Sequence, residues 1–301
     1  MKNRKISLQE LVAFLGDDFI GVRGDTQGVF IDNLADMEHV NETTLDWVKP
    51  SNPNKQSIVE NTLARVVLVD EEMKPVEGKV LIVVKHPKRS LAKIGNHFFV
   101  DHPEVGIHPT AIIHPEAQIG LDVSIGAYCV IGRAIIGDGC VIDSHVRIYD
   151  DVVMGSRCTV KAGAVIGGAG FGFERDENGN KFRFPQIGGV RIGDDVEIGA
   201  NTCIDRGALS DTVIGDHTKI NNLCHIAHNN QIGKNVTITG CVNVSGSNWI
   251  DDNVWIAPNA SIRGFVHLGE KCIVGMGAVV TKDIPAGETW VGNPAKKLLK
   301  E

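Results

Sequence analysis

The stretch IGDHTKINNLCHIAHNNQIGKNVTITGCVNVSGSNWIDDNVWIAPNASIRGFVHLGEKCIVGMGAVV, Ile214 to Val280, carries an aliphatic residue at every sixth position: Ile214, Ile220, Ile226, Ile232, Ile238, Val244, Ile250, Ile256, Ile262, Leu268, Val274 and Val280. Such an unbroken series does not arise from composition, since only 43% of the chain is hydrophobic. Upstream the step holds from Ile107 through Ile113, Ile119, Ile125 and Ile131. After a five-residue slip it runs again through Ile136, Ile142, Ile148, Met154, Val160 and Ile166, and Ile192, Ile198 and Ile204 follow a long interruption. Six is neither a helical period nor the alternation of a single strand, and a fixed short repeat signals a solenoid.

Inside each hexad the residue after the anchor is often Gly (Gly120, Gly126, Gly132, Gly193, Gly199), and the fourth is compact (Val123, Thr202, Val236, Val242, Ala260). Two residues per hexad therefore point inward, with Gly read as relieving backbone strain near a corner. Three short strands per coil, about 18 residues, give a triangular prism. Roughly nine coils spaced about 4.8 Å apart make it about 43 Å long. The expected fold is mainly β, a parallel β-helix with a small N-terminal α/β domain.

A formal charge of −7 without a dense basic run argues against a nucleic-acid surface. The longest aliphatic run, Val80 to Val84, is too short for a membrane span. Gln9 and Glu10 interrupt the apolar stretch behind Lys2, Arg4 and Lys5, so no signal peptide is expected and the protein reads as soluble and cytoplasmic. None of the seven cysteines forms a CxxC pair, and Cys129, Cys140, Cys158, Cys224 and Cys272 take the compact inward place. They read as core hydrophobes, and no metal site is expected.

Residues 1–101 lack the ladder and 102–301 carry it. Ser7 and Glu10 form a capping box before Leu8, Leu11, Val12 and Leu15, with Gly16 as the stop. Arg65–Val69 and Lys79–Val84 read as buried strands, and a short helix is expected around Ser90–Ile94. Trp47, in the loop-like LDWVKPSNPNK, either stacks on a nucleobase or packs against the domain. His108 and His114, beside prolines, read as turn residues.

The ladder breaks twice. GGAGFGFERDENGNKFRFPQIGG (residues 167–189), with Phe171 and Phe173, reads as a loop pushed out of the prism, either walling a ligand site or packing between subunits. It fits no phosphate-loop pattern. DRGALSDTV (Asp205 to Val213) is the second break.

The hexads resemble the hexapeptide-repeat acyltransferases, which implies a left-handed parallel β-helix and a homotrimer with active sites in the clefts between prisms. More specifically, FGFERDENGNKFRFPQIGGVRIGDDVEIGANTCIDRGALSDTVIG (Phe171 to Gly215) and INNLCHIAHNNQIG (Ile220 to Gly233) are similar to the UDP-3-O-acylglucosamine N-acyltransferases of the lipid A pathway. That resemblance implies a uridine-binding role for the N-terminal domain and places His228 at the catalytic base. It also implies Gly246 as oxyanion donor, His225 as a binding or orienting histidine, and Asn222, Asp205 and Arg206 in or near the sugar site. Asp205 and Arg206 read equally as a structural ion pair.

The six-residue step adds a geometric reason. Gly246 and Gly264 lie one and two coils beyond His228, in one column, so a backbone N–H would sit over an imidazole suited to taking a proton near neutral pH. Two departures from the family bear on the acyl donor. Phe265 stands where a second His is expected, and WVGNPAKK resembles the tail of hexapeptide acetyltransferases, with Lys296 and Lys297 toward coenzyme A. Gly264 and Phe265 are assigned to the donor side.

The leading reading is N-acyl transfer, as acetyl from acetyl-CoA, to the amine of a UDP-linked amino sugar, with no bound cofactor. The alternative is the lipid A N-acyltransferase using a hydroxyacyl carrier protein. A zinc enzyme of the γ-carbonic anhydrase type is the distant alternative, with His225 and His228 as two of three ligands.

Overall fold

A computed structural model describes residues 5–71 and 73–299. They form two compact units that meet between His102 and Pro103, one residue from the boundary read in the sequence.

In the first unit the expected capping box is formed. Glu10 N–H donates to Ser7 Oγ and Ser7 N–H to Glu10 Oε2, which starts the helix Leu8–Leu15; Gly16 ends it at φ 48°. The sheet has the order Phe19–Arg23, Val80–Val84, Val66–Val69, Leu45–Trp47, antiparallel for the first pair and parallel for the others. Val66 and Leu68 face a core with Leu8, Leu11 and Ile94, while Val67 and Val69 face Val48 and Val59 on the other side. Coverage on both faces explains why these strands read as continuous apolar runs. The helix expected at Ser90–Ile94 starts earlier, at Pro87, because proline is preorganised for a helix's first turn. Trp47 lies on a strand and packs, half-buried, against the first core, so this segment is more ordered than its composition suggested.

The second unit is a three-sided parallel β-helix whose sheets hold 11, 9 and 8 strands, each strand two to four residues long. In most of these strands the anchor is the closing residue and is buried, as at His225–Ile226 and Asn243–Val244, whereas Ile107 in the first coil is exposed. Register advances by one coil per pair: His225 stands opposite Asn243 and Ile226 opposite Val244. The five cysteines at the compact inward position are buried as expected. Four thiols also donate to carbonyl oxygens, for example Cys224 Sγ to Thr239 O at 3.1 Å, so they serve the corners as well as the core. His108 and His114 are turn residues, each with Nδ1 held by its own turn. Among the described residues no helix is long and apolar enough to cross a membrane.

The corner chemistry differs from the sequence reading. Left-handed backbone falls three residues after the anchor, mostly on residues other than glycine, including Leu223, Asn229, Ser247 and Phe265 at φ 59° to 63°. The glycine after the anchor answers a different need. A Cβ at Gly126 would lie 2.6 Å from Ser144 N, so coils approach too closely there for a side chain. Two after the anchor, the corner N–H points away from the ladder and is capped by an Asp or Asn one coil on. Leu121 N–H donates to Asp138 Oδ1, Arg133 to Asp150, Ser156 to Asp194, Asp194 to Asp216, Ala200 to Asn222 and Lys234 to Asp252.

Candidate active site

The cap is missing at the His228 and Gly246 corners, although Arg133 and Asp150 form one in an earlier part of the same column. His228, Gly246 and Gly264 are each two after an anchor, and the glycines have no side chain to cap the corner below. Ser247 N–H donates to His228 O (3.0 Å) and Phe265 N–H to Gly246 O (3.3 Å), so the three residues stack as the period required. Among the described residues the N–H groups of His228 and Gly246 have no acceptor. A Cβ on Gly246 would lie 2.7 Å from His228 Cε1 and 3.0 Å from Nε2, so the imidazole rests directly against the Gly246 backbone. One on Gly264 would lie 2.8 Å from Gly246 O.

The extruded segment closes the other side. Phe173–Arg175 and Lys181–Arg183 pair as an antiparallel hairpin, with Phe171 edge-on to Phe173 and Arg183 over the Phe173 ring. Arg183 also donates to Gly170 O, and a Cβ on Gly170 would lie 3.0 Å from His228 Cδ2. Two glycines thus bracket one imidazole. Phe171 is 80% exposed. Gln186 Oε1, close to Gly170, is a buried acceptor without a partner among the described residues; proximity in the fold rather than any sequence signal brings it there.

The second break holds the residue next to the base. Ala208 N–H donates to Asn229 Oδ1 (3.0 Å), Asn229 Nδ2 donates to Ser210 O and Oγ, and Asn229 N–H donates to Thr212 Oγ1. Those partners fix the amide orientation, since a backbone N–H must donate and a carbonyl must accept. Asn229 Oδ1 therefore accepts from His228 Nδ1 at 2.9 Å, which leaves Nε2 with the lone pair. Replacing Asn229 by Ala is expected to lower kcat about tenfold by freeing the ring, with little change in KM, in steady-state assays of acyl transfer.

His225 is not the orienting group. Its Nε2 meets Asp205 Oδ2 at 3.1 Å, and Arg206 bonds Asp150 O and Asp151 rather than Asp205. The hydrogen bond and charge of Asp205 hold the His225 imidazolium above the ordinary histidine value, against the opposing effect of burial. Because the folded value is the higher one, this pair's contribution to stability is complete below the unfolded value of 6.5 and is lost as pH rises through the folded value. Asp205→Asn is expected to lower the His225 titration midpoint, followed by NMR of the ring protons.

Other residues singled out in the sequence lie elsewhere. Asn222 occupies a different corner and caps Ala200 N–H. Lys296 and Lys297 form a strand antiparallel to Thr289–Val291, and Lys297 is paired with Glu288. Phe265 shares the His228 corner, one residue beyond Gly264, and is 85% exposed.

Comparisons with known proteins agree with this architecture. The bacterial transferase hexapeptide family (six repeats) matches residues 133–168 and 249–282, and the hexapeptide repeat of succinyl-transferase matches 189–220. Among solved structures, UDP-N-acetylglucosamine O-acyltransferase of Moraxella catarrhalis superposes with a TM-score of 0.59 at 29% identity, over 64% of this chain and 73% of that one. The winding is left-handed, as in that group. A UDP-3-O-acylglucosamine N-acyltransferase of a Caulobacter strain is 43% identical over 146 residues, 48% of this chain and under half (43%) of the relative's length. A relative of the same name from Coxiella burnetii is 36% identical over 294 residues, covering 91% of this chain and 84% of its own. With that identity and coverage, the chain belongs to the UDP-3-O-acylglucosamine N-acyltransferase family.

Proposed function

We propose that the protein transfers an acyl group from an acyl-carrier-protein thioester to the amine of a UDP-linked 3-O-acylglucosamine. The observation that carries this reading is the uncapped Gly246 N–H lying against a histidine whose tautomer is fixed by Asn229. In this scheme the amine nitrogen attacks the thioester carbonyl carbon while His228 Nε2 takes a proton from it. The carbonyl oxygen gains charge and accepts from Gly246 N–H, which is preorganised and bound to nothing else. Collapse of the tetrahedral intermediate forms the amide and breaks the C–S bond, and the thiolate leaves with the proton returned by the imidazolium.

Phe265, apolar and exposed beside the oxyanion position, is suited to an acyl chain, and Phe171 and Phe173 to the sugar nucleotide. Trp47 and the N-terminal domain would bind the uridine. A homotrimer would complete the cleft at the His228 corner with a face of a neighbouring prism.

Acetyl transfer from acetyl-CoA, the leading sequence reading, has less support. The relatives' name specifies an already acylated sugar, and Lys297, assigned to coenzyme A phosphates, is engaged by Glu288. The zinc alternative loses ground because those relatives are named as acyltransferases and His228 Nδ1 is committed to Asn229. Thiol release measured with UDP-3-O-acylglucosamine as acceptor tests the choice of donor. Release from hydroxyacyl carrier protein and not from acetyl-CoA is expected; release from acetyl-CoA alone would reverse the assignment.

A further inference from the structure

Two asparagines lie inside the prism, where an aliphatic core leaves polar groups few partners. Asn230 and Asn248 are both fully buried, each four residues after an anchor, at the hexad position elsewhere filled mostly by Val, Ala, Cys or Thr. Burying a carboxamide costs stability unless its nitrogen and oxygen find partners, and here all four atoms do. Asn230 Nδ2 donates to Ala227 O (2.7 Å) and Ser245 O (3.0 Å), and its Oδ1 accepts from Asn248 N–H. Asn248 Nδ2 donates to Ser245 O (2.6 Å), and its Oδ1 accepts from Val266 N–H.

Both side chains therefore converge on one carbonyl, and it is the carbonyl of the Ser245–Gly246 peptide. A planar trans peptide points its N–H opposite its C=O, so fixing Ser245 O inward fixes Gly246 N–H outward, toward the site. Hydrogen bonds received at a carbonyl also polarise the N–H of the same peptide, an effect of about 10–30% per bond in a low-dielectric interior. The Ala227–His228 peptide receives one such bond from Asn230, and the Ser245–Gly246 peptide receives two.

We propose that Asn230 and Asn248 are positioning residues for the oxyanion donor: from inside the prism they aim and polarise the Gly246 N–H. This rests on the acyl-transfer reading above and adds to it a source for the donor's strength and direction that touches neither substrate.

The fold supplies its own substitute for the test. Thr202 and Thr218 occupy the same inward hexad position on the other two edges of the prism. Each donates Oγ1 to a corner carbonyl one coil on, and each accepts the N–H of the inward residue one coil on, at Cys224 and Val236. Asn248→Thr can therefore still accept from Val266 N–H while losing only its bond to Ser245 O. Adding Asn230→Val, with the residue found at 236, 242, 254 and 266, removes the second bond. Since one oxyanion donor is worth about 10²–10³ in kcat, a partial loss of its polarity should lower kcat about three- to fivefold in Asn248→Thr and about tenfold in the double variant. KM for both substrates and the midpoint of the pH–rate profile are expected to stay unchanged.

A second readout needs no turnover. Ser245–Gly246 is the only Ser-Gly pair in the sequence, so carbonyl-13C serine and 15N glycine labelling gives one peptide resonance. Loss of the bonds should move the Ser245 carbonyl carbon upfield in Asn248→Thr. Wild-type kcat in the double variant, or an unmoved Ser-Gly resonance, overturns the proposal. No acyl transfer by the wild-type protein would instead overturn the acyl-transfer reading, and the Ser-Gly shift would still test the asparagine contacts.

Discussion

His228→Ala is expected to lower kcat for acyl transfer about 10³-fold, inside the 10²–10⁴ range for a positioned acid–base group. The ring is the only part of the residue involved in the chemistry, because the buried anchor of its hexad is Ile226. Thermal stability should stay close to wild type. KM for the sugar nucleotide should change little, since the imidazole acts on the proton of the attacking amine. Steady-state kinetics with a thermal melt on the same preparation separates this outcome from unfolding. A variant that melts normally and retains wild-type kcat would remove His228 from the mechanism.

Gly246→Ala should cost nearly as much by a different route. The added methyl would lie 2.7 Å from Cε1 and 3.0 Å from Nε2 of His228, and the ring cannot retreat freely because Gly170 brackets its other side and Asn229 holds Nδ1. The imidazole must rotate or the corner must shift by several tenths of an ångström. Displacements of about 1 Å at a reacting centre cost about 100-fold, and the oxyanion donor sits on the same residue, so kcat should fall about 10²–10³-fold. Gly246 has no left-handed φ and a Cβ there would meet the His228 ring rather than the core, so the fold should survive. If kcat is lost only together with cooperative unfolding, the glycine is structural rather than part of the oxyanion site.

The prism was legible in the sequence because its buried anchors repeat at a fixed step, and that step also stacked Gly246 and Gly264 above His228. The support of the base was not. Asn229 occupies a left-handed corner position shared by Asn201, Asn235, Asn253 and Asn259, so an asparagine there looks like ordinary turn chemistry. What distinguishes it is the second break, whose Ala208, Ser210 and Thr212 fold back onto its amide. Contacts between segments some twenty residues apart leave no periodic trace. Glycine after the anchor was visible but misread: it serves close approach of coils, while the strained φ falls two residues later. Asp205 and Arg206, adjacent in sequence, suggested a pair, yet each finds its partner one coil or more away, at His225 and Asp151.

Amide formation at this corner is read from the linkage in the product. Purified protein is incubated with UDP-3-O-acylglucosamine and hydroxyacyl carrier protein, and the product is weighed by mass spectrometry before and after hydroxylamine. A second acyl group that survives hydroxylamine, while the original ester is cleaved, is the expected result. No gain in mass, or a second acyl group that hydroxylamine also removes, would contradict the assignment of His228 and Gly246 to N-acyl transfer.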